Sequence, residues 1–194
     1  MSNEVSARTD DAPPTTAKHH RVDVAGENVP EAQGSQATAQ TVTINRPVAE
    51  VYARFRDFAR LGDFMENVER IDVLDQQRSH WVVKAPAGRT VEWDARITEE
   101  EPERLIAWTS EEGAEVPNSG RVTFRDVGDR GTVVTATLLY DPPGGTLGKI
   151  VAKLFQREPA IQARRDLKRF KQLLETGEIA TNVITREQLE EEGR

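Results

Sequence analysis

Acyl transfer through a catalytic triad needs a serine, threonine or cysteine held against a base. This chain has no cysteine and three histidines, of which only His80 lies outside the polar N-terminal segment. No Gly-x-Ser-x-Gly elbow occurs. Gly144-Gly-Thr-Leu-Gly-Lys149 comes near a phosphate loop, but Ile150 stands where a serine or threonine must bind magnesium. Metal chemistry fares no better: there is no His-x-x-x-His and no Asp-x-Asp-x-Asp-Gly loop. Lys18-His-His-Arg21 is an isolated pair without the further ligands a metal requires. Neither a metal nor a cofactor is expected. Glycosidase-like carboxylate pairs are defined by their separation in space, and spacing along the chain does not select one.

What stands out instead is the placement of large aromatics. If strand faces are read by alternation, Trp81, Trp93, Trp108, Phe124 and Tyr140 fall on one side of successive strands. Such a set is either a packed core or the wall of a ligand pocket. The Tyr140 hydroxyl and the indole N–H groups would give a pocket its few polar contacts, and Tyr140 or His80 would be the residues to handle protons in an enzyme.

The elements that would position these residues follow from periodicity. Val42 and Ile44 alternate with threonines in a strand over Ala37–Ile44, and Pro47 opens a helix striped by Val48, Val51, Tyr52 and Phe55. Gly62 is expected to stop that helix, and a short helical turn over Asp63–Asn67 sets Phe64 and Met65 against the core. Strands are then predicted at Val68–Leu74, His80–Ala85, Thr90–Glu99, Leu105–Ser110, Gly120–Asp126 and Thr132–Tyr140. In the clearest of them Val91, Trp93, Ala95 and Ile97 alternate with Glu92, Asp94 and Arg96. One wet face and short connections mark an antiparallel sheet, since parallel sheets are covered on both sides.

The sheet would close on a long helix from about Gly145 to Glu175. Leu147, Ile150, Val151, Leu154 and Phe155, then Ala160, Ala163, Leu167, Phe170 and Leu174, fall on one helical face. A kink is expected at Glu158-Pro159, and Gly177 ends the helix as its C-cap. The opposite face carries Lys149, Lys153, Arg157, Arg164, Arg165, Lys168, Arg169 and Lys171, with Glu158 and Asp166 as its acids. That face reads as solvated, with at most weak contact to a membrane surface.

At 194 residues with 37% hydrophobic content, the chain has material for one domain and tails. Residues 1–36 are polar and Pro/Ala/Thr-rich, and residues 180–194 are acidic; both are expected to be disordered tails flanking a domain over 37–179. A net charge of -7 argues against sequence-independent nucleic-acid binding. No apolar leader and no stretch near the ~20 residues of a membrane span is present, so a cytoplasmic protein is expected.

Several stretches carry a resemblance to a known family. Pro47 with Val51 and Phe55, Ser79-His-Trp-Val-Val-Lys-Ala-Pro86, Val91-Glu-Trp-Asp-Ala95, Ile106-Ala-Trp-Thr-Ser110, Ser119-Gly-Arg-Val-Thr-Phe124, Gly131-Thr-Val-Val134 and Asp166-Leu-Lys-Arg-Phe-Lys-Gln-Leu-Leu-Glu-Thr-Gly-Glu178 resemble the polyketide cyclase/dehydrase branch of the START-like (SRPBCC, helix-grip) superfamily. The chain is also similar to the coenzyme Q-binding proteins of that superfamily. The resemblance covers about Ala37 to Ile179 and implies an α+β helix-grip fold: a curved seven-stranded antiparallel sheet wrapped around the C-terminal helix, with two short helices between strands 1 and 2. It implies a deep cavity for lipids, quinones or polyketides, and it brings no catalytic motif.

The expected function is a soluble binding module for a small apolar or aromatic ligand. Trp81, Trp93, Trp108, Phe124, Tyr140, Phe64, Leu154 and Phe155 would line its cavity. The alternatives are a cyclase or dehydratase using the same cavity and a stress-associated protein whose cavity is filled by side chains. A volume of ~300 Å3 or more would hold a drug-sized ligand and separate the first two from the third.

Overall fold

A computed structural model describes residues 36–85, 88–140 and 159–179. The expected tails, apart from Gln36, which starts the first strand, and the first half of the last helix, with Leu154, Phe155 and the Glu158 side of the expected kink, lie outside these residues. Within them the order is β1 (Gln36–Ile44), α1 (Val48–Arg56), a 3-10 helix (Phe58–Asp63), β2 (Val68–Val73), β3 (Arg78–Ala85), β4 (Arg89–Glu101), β5 (Leu105–Ser110), β6 (Asn118–Asp126), β7 (Thr132–Tyr140) and α2 (Pro159–Thr176).

The seven strands form one antiparallel sheet in the order β1-β7-β6-β5-β4-β3-β2. Consecutive strands from β2 to β7 pair with each other, and β1 adds to the far side of β7. The sheet is curled, and its inward face packs against α1, the 3-10 helix and α2, giving the α+β helix-grip arrangement. Burial explains the alternation in the sequence: Val91 and Ala95 are buried while Glu92 is exposed.

Some boundaries differ from expectation, each for a local reason. The first helix does not run on to Gly62: it ends at Arg56, where Asp57 turns to ψ 77° while its N–H still bonds Ala53 at 3.2 Å. The 3-10 helix that follows advances three residues per turn, so Phe58, Leu61 and Phe64 share one side, and all three are buried. An α-helix continued through this segment would have fanned them apart. Strand β3 starts two residues earlier than expected, at Arg78, and Ser79 within that addition is buried. Likewise β6 begins at Asn118, whose partner across the ladder is Tyr140.

α2 lies along β1 and is fastened at several points. Lys171 Nζ donates to the Thr43 carbonyl at 2.7 Å, Arg46 donates to the Glu175 carbonyl at 2.8 Å, and Arg169 Nε donates to the Phe64 carbonyl at 3.0 Å. Two cations of the expected solvated face therefore tie the helix to its neighbours. Arg164, Arg165 and Lys168 do face solvent. The helix ends as expected, with Gly177 at φ 79° donating to the Leu173 carbonyl at 2.9 Å.

Candidate functional site

The concave face of the sheet, the 3-10 helix and α2 enclose a cavity of about 210 Å3, partly open to solvent. This is below the ~300 Å3 of drug-sized pockets, yet above the ~150 Å3 at which an apolar cavity accepts a benzene ring. It has room for one or two fused rings.

Strand register brings the indoles here. Trp81 and Trp93 are directly paired across β3 and β4, their rings parallel within 7° and 6.2 Å apart. Trp108 stands opposite Ile97 on β4 and opposite Gly120 on β6. Tyr140 closes the far end, opposite Asn118. All of these line the cavity, and so does Phe64 from the 3-10 side. Tryptophan suits a wall of this kind because its N–H can be satisfied while its rings stay apolar. Trp81 shows it: the indole donates at 2.9 Å to the hydroxyl of buried Ser79, two residues back on the same strand face.

Phe124 has another place. It points inward as expected but packs against Tyr52 and Phe55, with ring centroids 5.5 and 5.7 Å away, and does not reach the cavity wall. The neighbouring Phe55, Phe64 and Phe170 rings complete a filled cluster.

His80 is separated from the cavity by the sheet itself. It sits between the inward-facing Ser79 and Trp81, so alternation sends it to the outer surface, where Nδ1 lies 2.7 Å from Asp94 and Nε2 3.5 Å from Glu92. A proton-handling role for His80 in the cavity is ruled out by that orientation.

One ionisable cavity residue escapes a reading by residue type. Asp166 on α2 is part of the lining, although an acid on a basic helix reads as solvated. Its Oδ1 accepts from Gln162 Nε2 at 2.9 Å and from the Glu66 amide at 3.3 Å. Burial nonetheless dominates and pushes its carboxyl up to about 6, against the opposing pull of those hydrogen bonds and of Arg169. Helical spacing was the available signal: Asp166 follows Ala163 by three and Gln162 by four residues, and both line the cavity. Burial also raises the Tyr140 phenol. The site thus joins an apolar bowl to an acid that changes protonation near neutral pH.

The comparisons with known proteins agree with this architecture. The family profile described as polyketide cyclase / dehydrase and lipid transport matches residues 44–168. A 17.2 kDa protein of Streptomyces lincolnensis is 34% identical over 137 residues, 70% of this chain and 87% of its own. A crystal structure from Deinococcus radiodurans is 40% identical with a TM-score of 0.60, covering 74% of this chain and 100% of that one. An aromatase/cyclase of Streptomyces shares the fold at a TM-score of 0.55 and 17% identity, over 75% of this chain and 99% of its own. With residues 44–168, more than half its length, matched by the family profile, the chain belongs to the polyketide cyclase / dehydrase and lipid transport family.

Proposed function

We propose that this protein binds a small, flat, apolar molecule in the cavity between sheet and α2. The observation that carries the reading is the wall itself: three indoles and a tyrosine standing around about 210 Å3 of space, with few polar groups among them. The volume suits an aromatic or quinone head of one or two rings, and a longer tail, as on a coenzyme Q-like molecule, would extend from the open side.

The test uses the indoles as reporters. Menadione and 1-naphthol should each alter tryptophan emission saturably, and a saturated, non-aromatic molecule of similar volume should do so less. If quinones, naphthols and fatty acids all leave the emission unchanged and native mass spectrometry of the purified protein finds no bound molecule, the reading fails.

A second reading rests on Asp166. A carboxyl that titrates at about 6 beside an apolar substrate can donate a proton when neutral and accept one when ionised. In a dehydratase it would protonate a departing hydroxyl, which leaves as water, while the adjacent carbon gives up its proton to solvent water and the C–H electron pair becomes the new C=C bond; the bowl would hold the ring that bears these atoms. Asp166→Asn keeps the shape and removes the acid. Turnover of a hydroxylated polyketide analogue that survives this change would count against Asp166 as the acid.

A further inference from the structure

Gly120 lies near the middle of the concave face, directly across the ladder from Trp108 on β5 and from Leu138 on β7. A Cβ placed on it would sit 2.2 Å from Trp108 Cζ2, 2.5 Å from Cη2 and 2.7 Å from Cε2. Carbon atoms rest about 3.5–4.0 Å apart, so the benzo ring of Trp108 lies against bare β6 backbone and would have to retreat by more than ~1 Å from any side chain there. The backbone itself does not call for glycine, because Gly120 is absent from the positive-φ glycines. Glycine inside a strand weakens it and marks a close approach by another group. Here that group is the indole.

On its other sides Trp108 has Ile97 across β4 and the cavity. Cross-strand packing holds the Ile97 side, and the cavity side is space. We propose that Gly120 is the size-determining position of the cavity: it lets Trp108 lie back on β6, and the ligand occupies the room this leaves. The molecule admitted is a planar aromatic of one or two rings. This inference rests on the binding function proposed above, and it makes Gly120 a specificity residue that touches no ligand.

The experiment is a double-mutant cycle read with 1-naphthol by calorimetry. Gly120→Ala should weaken binding at least tenfold, while the variant still unfolds cooperatively. In the Trp108→Phe background, where the benzo ring is absent, the same alanine should change affinity less than threefold. Equal losses in both backgrounds, or wild-type affinity in Gly120→Ala, would overturn the proposal. If Gly120→Ala fails to fold, the double variant decides: folded, probe-binding protein supports the device and an unfolded one refutes it.

Xenon separates this idea from the function it rests on. Crystals of the wild type and of the double variant under xenon pressure should hold the gas in the cavity, and Gly120→Ala should not. Should the wild type take xenon while quinones, naphthols and fatty acids all fail to bind and no molecule co-purifies, the binding function fails while the gas still reads the Gly120 device. Equal xenon occupancy in wild type and Gly120→Ala would refute the device.

Discussion

Two aromatic groups share the concave side of this sheet and are packed in opposite ways. Phe55, Phe64, Phe124 and Phe170 close on one another, Phe64 and Phe170 with centroids 4.5 Å apart and the pairs through Phe55 tilted or edge-on. Trp81, Trp93, Trp108 and Tyr140 instead stand around a space. Phenylalanine has no polar atom, so a phenylalanine is best placed with its edge in another ring. The indoles are braced by their strand neighbours, Trp81 by the Ser79 hydroxyl and by stacking on Trp93 within the wall, and Trp108 by the bare backbone of Gly120 behind it. The sheet's own inward-facing aromatics therefore divide: Phe124 is taken into a core completed by Phe55, Phe64 and Phe170 from the helical side, whereas the three indoles and Tyr140 line the bowl, of which Phe55 and Phe64 form the shared border.

The largest effect should come from the filled end. Phe170 is fully buried between Phe55 and Phe64, so Phe170→Ala should cost ~3–5 kcal/mol in denaturant unfolding. A cost under ~1 kcal/mol would mean that this end is loose too, and the contrast between the two ends would disappear.

Next comes Asp166, where the bowl meets the helix. Its folded-state carboxyl titrates at about 6, above the ordinary 3.8, so the folded protein holds that proton more tightly than the unfolded chain. The resulting stabilisation is complete below the unfolded value and is lost as pH rises through about 6. Asp166→Asn should match the wild type near pH 4 and exceed it by about 2 kcal/mol at pH 8. The groups bearing on Asp166 are Glu66, Gln162 and Arg169, and the difference between the two proteins isolates Asp166 from the rest of the titration. An advantage for the variant that is the same at both pH values would show that the carboxyl is not taking up a proton in this range.

How far this contrast could be read from sequence depends on what alternation encodes. It reports which face of a strand is inward, and so it placed Trp81, Trp93, Trp108, Phe124 and Tyr140 together on one face. It says nothing of whether the space between inward residues is filled, which is why Phe124 reads like the tryptophans and yet sits in the core. Residue type misled twice. Asp166 looked solvated because carboxylates usually are, although its spacing from Ala163 put it on the buried side. Ser79 hid the start of β3, since a buried hydroxyl that pairs with an indole looks polar in sequence. The end of α1 was masked by Gly62, a conspicuous breaker, whereas the real turn occurs at Asp57 without a side-chain cap.

The bowl itself should tolerate a change that keeps a ring. Trp93→Phe removes part of the wall without leaving the site open, and should cost about 1 kcal/mol of stability. It should nevertheless weaken menadione binding severalfold, because Trp93 lines the cavity and stacks on Trp81. A stability loss as large as that of Phe170→Ala would place Trp93 with the filled end instead.

The smallest effect should come from His80, one residue from Trp81 but on the other side of the sheet. Its contacts with Asp94 at 2.7 Å and Glu92 at 3.5 Å are partly exposed, and polar contacts at such a surface contribute little once screening and side-chain entropy are counted. His80→Ala should therefore lower stability by only ~0.5 kcal/mol. Because the sheet separates this side chain from the cavity, affinity for menadione should stay within twofold of wild type, and so should turnover of any substrate the cavity accepts. If His80→Ala abolished turnover while Asp166→Asn did not, the reacting groups would lie on the outer face, and the cavity would be a binding site alone.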